Sequence, residues 1–207
     1  MITRHIATFL SVVFHPLLIL TYMLFFLIWV NPYEFGGGGY ARNTLLIANV
    51  FLYTFMMPSF ALVMMRFLGL VSDIKLSKRE DRIIPYIAAG VFYTWLTVNA
   101  FYTSVYPMAY TVFIMGTTIS LFMAFFVNIF WKVSIHTTGV GGLVAMVFIT
   151  MTQFSYENID FFFLASILIA GAVGTSRLIL KAHLPGQVYF GYVIGVIGQV
   201  IAFLLLF

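Results

Sequence analysis

Cysteine is absent from the chain. That absence excludes disulfides, thiolate metal sites and cysteine nucleophiles together, and it leaves the redox compartment unspecified. Charge is almost as scarce, with 8% of the 207 residues charged and only six of them acidic. Soluble domains carry about a quarter charged residues, so a soluble globular domain is excluded. No cluster of histidines and carboxylates has zinc spacing, so neither a metal nor another cofactor is expected. Nucleophilic side-chain chemistry, if there is any, falls to the four histidines.

What the chain does have is apolar surface. Hydrophobic residues make up 63% of it and the mean hydropathy is +1.08, which describes an integral membrane protein whose first partner is the lipid bilayer. A helix needs roughly 20 apolar residues to cross a hydrocarbon core about 30 Å thick. Runs of that kind fall at residues 6–30, 44–71, 83–105, 108–131, 137–154, 161–180 and 188–207. The expectation is an all-α, polytopic transmembrane helical bundle of about seven spans (six to seven), forming a single domain over residues 1–207. The first run is too long for a signal-peptide core and has no small-residue cleavage pattern, so it reads as a retained span.

Punctuation along the chain agrees with this division. His15 and Pro16 lie within the first span, where a histidine before a proline is expected to be hydrogen-bonded at the interface or towards the bundle. Residues 31–43, with Pro32, Glu34 and the glycines at 36–39, form a loop. They cannot be a phosphate cradle, because no lysine follows in P-loop spacing and no strand precedes. Pro58 is a tolerated kink in the second span, and Arg66 near its end snorkels towards the surface. Glu157 and Asp160 mark an acidic turn before the sixth span. Gly191, Gly195 and Gly198 have the small-residue spacing of a helix contact face. A net charge of +4 would point to nucleic acid in a soluble protein. Here the basic residues occupy short loops and follow the positive-inside rule, so no nucleic acid is expected, and the oligomeric state is not specified.

Three polar clusters stand apart from the apolar runs. Residues 72–82 hold four basic and three acidic side chains, with Lys75 and Arg82 seven residues apart and so on one side of a helix. Lys132, at a membrane interface beside Trp131, is followed by Ser134 and His136 at the start of the fifth span, where a helix N-terminus offers unpaired N–H groups to an anion. Arg177 and His183 lie six residues apart in a turn broken by Pro185 and Gly186. Counting seven crossings puts the N-terminus and all three clusters on one face of the membrane, where they can converge.

Phosphoryl transfer spreads negative charge over three oxygens, so a site without metal needs fixed cations and hydrogen-bond donors. Lys75, Arg82 and Arg177 supply the cations, with Ser134 and Ser176 as neutral donors. In order and spacing these residues resemble the type 2 phosphatidic acid phosphatase (PAP2) superfamily of integral membrane lipid phosphatases. Its signature runs Lys-x6-Arg-Pro, Pro-Ser-Gly-His and Ser-Arg-x5-His-x3-Asp. The resemblance covers roughly residues 72–195, through Lys75 with Arg82, Ser134 with His136, and Ser176 and Arg177 with His183. It implies that His183 is the nucleophile forming a phosphohistidine and His136 the general acid and base. It also implies that the substrate is an amphiphilic lipid phosphate, of phosphatidate or isoprenyl diphosphate type.

The chain departs from the signature at four places. The proline after Arg82 is displaced to Pro85, Val133 and Ile135 replace the proline and glycine of the second motif, and Gln187 stands where the third has its aspartate. Gln187 can fix the tautomer of His183 but brings no charge, which leaves a second expectation beside hydrolysis, namely binding or translocation of lipid phosphates. The plasma (inner) membrane is the expected location, with the side of the site left open. Nine of ten lysines and arginines lie on the motif face, which the positive-inside rule makes cytoplasmic, whereas the resemblance implies a site facing away from the cytoplasm.

Overall fold

The computed structural model describes residues 2–35, 39–74, 76–154 and 159–207. Lys75, the glycines at 36–38 and Glu157 lie outside the described residues. Every regular element among the described residues is helical, and seven helical stretches are long and apolar enough to cross a membrane. The fold is an all-α polytopic bundle.

The first span, Ile2–Val30, is two helices, α1 (Ile2–Val13) and α2 (Ile19–Val30), joined by a 3-10 turn at Pro16–Leu18. The second, Tyr40–Phe67, is α3 (Tyr40–Phe51) and α4 (Met57–Phe67) with a π-helical turn, Leu52–Met56, between them. Pro58 follows that turn and cannot donate to the preceding backbone, so the expected kink takes the form of a locally widened helix. Single helices make the other five spans: α5 (Ile83–Thr103), α6 (Met108–Phe130), α7 (Ile135–Gln153), α8 (Asp160–Ile179) and α9 (Pro185–Leu206). The second span starts and ends about four residues earlier than expected, because the chain turns helical at Tyr40, directly after Gly39.

One expectation about local structure is corrected. Residues 68–74 and 76–79 are not helical, and the helix begins only with the short turn Glu80–Arg82. Gly69 (φ 73°) and Leu76 (φ 51°) have left-handed backbone, so the two-turn helical spacing expected to align Lys75 with Arg82 does not apply. The described part of the charged stretch before Glu80 is a folded-back loop. Arg82 donates through Nε to the Leu76 carbonyl at 2.8 Å, closing the loop on itself.

The core lies where α9 packs against α6 and α7. Val112, Phe113 and Ile114 of α6, Val140 and Met146 of α7 and Ile194 of α9 are buried there, and the lipid-facing surfaces keep their large apolar side chains exposed. Helix association in a membrane rests on close packing, so small residues line this contact. A Cβ on Gly195 would run into the Thr138 carbonyl and come within 2.6 Å of the Gly142 nitrogen, whereas one on Gly171 would meet nothing within 4 Å. Gly195→Ala therefore forces two backbones apart and lowers the thermal midpoint in detergent by an amount matching about 1–3 kcal/mol of overpacking. Gly171→Ala, measured by the same fluorescence melt, leaves it unchanged or higher.

Candidate functional site

Four breaks in the helical framework meet at one end of the bundle: the loop entering α5, the α6–α7 corner, the α8–α9 turn and the interruption between α1 and α2. Backbone carbonyls tie them together through cationic side chains. Arg82 Nη1 donates to the Val133 carbonyl at 3.1 Å. Lys132 Nζ bridges the Ser77 and Ala182 carbonyls, 3.2 Å from each, and the Ser134 N–H donates to the Gln187 carbonyl at 3.2 Å. The loop, the corner and the turn thus share one polar seam. Arg82, Ser134, Ser176, Arg177, His136, His183 and Gln187 all lie at this end of the bundle, and Lys75 lies outside the described residues.

His183 is 8% exposed. Its Nδ1–H donates to the side-chain oxygen of Gln187 at 3.2 Å. The same oxygen accepts the Leu184 N–H at 3.2 Å, so Gln187 caps α9 and orients the ring at once. Because a carbonyl can only accept, the proton sits on Nδ1 and Nε2 keeps its lone pair. Burial pushes the His183 pKa down to about 3, helped by Arg82, Lys132 and Arg177 and opposed by the hydrogen bond to Gln187. Lys132 lies below its ordinary value too, chiefly through burial and then through Arg82 and Arg177.

Three cations therefore act on one neutral imidazole, and none of Arg82, Lys132 and Arg177 is paired with a carboxylate among the described residues. The ion pair found there is Arg79 with Glu80, at 3.4 Å. Arg177 also keeps a buried Nε–H with no partner among the described residues. Clustered cations repel and are poorly solvated when partly buried, so an anion arriving among them is favoured by all three charges. Beside them opens a cavity of about 560 Å³, with Lys132, His183 and Gln187 on its polar side and Leu178, Leu184 and Pro185 on its apolar side.

The two serines expected as phosphate donors are occupied elsewhere. Ser134 is 0% exposed and caps α7, its hydroxyl accepting the Thr137 N–H. Ser176, 1% exposed, donates to the Val173 carbonyl at 2.7 Å and lies 3.0 Å from the Ser11 hydroxyl. Arg177 Nη1 in turn donates to that Ser11 hydroxyl at 3.1 Å. Both serines hold the frame, Ser176 by donating to the Val173 carbonyl and Ser134 by accepting the Thr137 N–H.

Sequence reasoning missed two members of this constellation and underrated a third. Lys132 read as an interface marker, although it stands directly before the second motif on the motif face. Ser11 carried no signal, since one serine in an apolar run is ordinary. His15, expected to be a hydrogen-bonded interfacial or bundle-facing residue, accepts the Leu17 N–H at Nδ1 at 3.4 Å and stacks edge-to-face on His136 with ring centroids 5.4 Å apart. His136 donates from Nε2 to the Ser11 carbonyl at 3.1 Å and lies within electrostatic reach of Arg177, His15 and His183. Comparison of the chain with protein-family models, with curated proteins and with solved structures yields no match.

Proposed function

We propose that the protein is an integral membrane lipid phosphatase of the type 2 phosphatidic acid phosphatase kind, located in a plasma (inner) membrane. Its substrate is an amphiphilic phosphomonoester or pyrophosphate. The observation that carries this reading is His183, oriented by Gln187 and lying among Arg82, Lys132 and Arg177, which pair with no carboxylate among the described residues. A group transferred to a histidine needs an unprotonated nitrogen and a counter-charge for the phosphoryl oxygens, and this corner provides both. The apolar side of the adjacent cavity suits the start of a lipid tail.

In the reaction, His183 Nε2 attacks phosphorus and the bond to the leaving oxygen breaks. By the resemblance, His136 is the general acid that gives a proton to that oxygen. It then takes one from the water that attacks the phosphohistidine, so free phosphate leaves and His183 returns to its starting form. Charge neutralisation is assigned to the protein's own cations. Purified protein in lipid nanodiscs should accordingly release phosphate from a phosphatidate or an isoprenyl diphosphate, and release should survive a chelator. A strict requirement for an added divalent ion would overturn the metal-free assignment.

A second reading is favoured by one residue. Gln187 gives His183 orientation without negative charge, which suits a site that binds or translocates lipid phosphates without cleaving them. Phosphate-dependent lipid binding with no phosphate release from any lipid phosphate offered would establish that reading over the first.

A further inference from the structure

The first span contributes an unexpected element to the site. An α-helical Ser11 carbonyl would accept the His15 N–H four residues on. Pro16 has no N–H, so it leaves the Val12 carbonyl without its regular donor. The His15 N–H turns to that carbonyl instead, at 3.3 Å, and the Ser11 carbonyl is released from the helix. Ser11 is 7% exposed, and a buried carbonyl left without a donor is destabilising. His136 supplies the donor, its Nε2 lying 3.1 Å away.

We propose that the break at His15 and Pro16 is a holder for His136, in which the freed Ser11 carbonyl takes the Nε2–H and leaves Nδ1 as the proton-carrying nitrogen of the reaction. The inference rests on the hydrolase reading for its catalytic meaning. The two histidines then follow one plan. His183 is held at Nδ1 by the Gln187 amide oxygen and His136 at Nε2 by a backbone oxygen, so each ring has one nitrogen fixed and one at work. An acceptor on the fixed nitrogen stabilises the imidazolium that His136 must form before it can protonate a leaving alkoxide, as the carboxylate does for the histidine of a serine protease.

Ser11 and His15 tighten the arrangement from either side. The Ser11 hydroxyl accepts from Arg177 Nη1 at 3.1 Å, so a single residue of α1 touches both the acid–base histidine and a phosphate-binding arginine. The His15 ring, its own Nδ1 tied to the Leu17 N–H, closes on His136 edge-to-face. Gly139 approaches the break from α7, where a Cβ would stand 3.4 Å from Pro16. Ser11, His15 and Pro16 are on this account positioning residues.

Two readouts test the holder. In full-length protein labelled with nitrogen-15 histidine and kept in nanodiscs, the His136 Nε2 proton should give a downfield, slowly exchanging signal, assigned by its loss in His136→Gln. Pro16→Ala lets the helix continue and returns the Ser11 carbonyl to the His15 N–H, so that signal should exchange quickly or disappear. In phosphate-release assays Pro16→Ala should lower kcat about tenfold or more with KM little changed, since general acid–base catalysis supplies roughly 10²–10⁴-fold. His15→Phe, which keeps the proline break and a ring against His136, should retain more of kcat than Pro16→Ala does. A wild-type His136 whose Nε2 carries no proton, or exchanges it freely, overturns the holder even if Pro16→Ala fails to fold. A protected signal in a wild type that releases no phosphate supports the holder and overturns the hydrolase reading instead.

Discussion

His183→Ala abolishes phosphate release while leaving lipid-phosphate binding largely intact. The asymmetry follows from the charge state of the residue. With a pKa pushed down to about 3, His183 is neutral at every working pH and adds no charge to binding, which rests on Arg82, Lys132 and Arg177. Covalent transfer to its Nε2 is another matter, because no other histidine among the described residues lies within reach of all three cations. Enzymes of this general kind accelerate their reactions by about 10⁶-fold or more, and losing the nucleophile returns release to background. Wild type given a labelled lipid phosphate should also acquire an acid-labile, base-stable phosphoryl group that His183→Ala lacks. Arg177→Ala should do the reverse to affinity, removing a charge and the donor to Ser11. A His183→Ala protein that released phosphate as fast as wild type would remove this turn from the chemistry.

The division into spans was legible because hydropathy is a property of long windows, and four of the seven expected runs match helices to within two residues. Packing of the helices was partly legible as well, since glycines in register on a helix face have few other uses in a membrane. Local backbone was harder to read. Residues 72–82 carry charges at helical spacing, yet the described part of that stretch before Glu80 is a loop closed by Arg82 on the Leu76 carbonyl. Spacing alone does not distinguish a helix from a turn stapled by its own side chain.

Within the site, His183, Gln187 and Arg177 were readable because they are close in sequence and flank a proline break. Lys132 was hidden by a common explanation for lysine at an interface. Ser11 and His15 were hidden for a deeper reason: they reach His136 across 125 and 121 residues of chain. The role of Ser11 belongs to a backbone carbonyl, which every residue has. The one local clue was Pro16, since a proline inside a span always leaves carbonyls to be satisfied by something else.

Gln187→Asp should raise turnover, and the direction can be worked out from the contacts of the wild-type side chain. Gln187 already accepts from His183 Nδ1 at 3.2 Å and from the Leu184 N–H at 3.2 Å. If the shorter aspartate keeps these partners, orientation is preserved and the change is one of charge. An ionised carboxylate there favours the positive charge that develops on the imidazole as its Nε2 bonds to phosphorus. Loss of the corresponding charge from a protease triad lowers turnover about 10⁴-fold, which sets an upper bound on the gain. Two effects reduce it, namely burial of the new carboxylate and its partial neutralisation of cations that also serve the substrate. The pH profile gives an independent sign. The nucleophile must be unprotonated, and with a pKa of about 3 wild-type His183 imposes no loss of rate until the medium is strongly acidic. The aspartate raises that pKa, so more His183 is protonated at a given acidic pH, and the acid limb of kcat/KM should move upward. Higher kcat together with an acid limb at higher pH establishes His183 as a nucleophile limited by its missing counter-charge. An unchanged profile would show that position 187 does not act on the reacting ring.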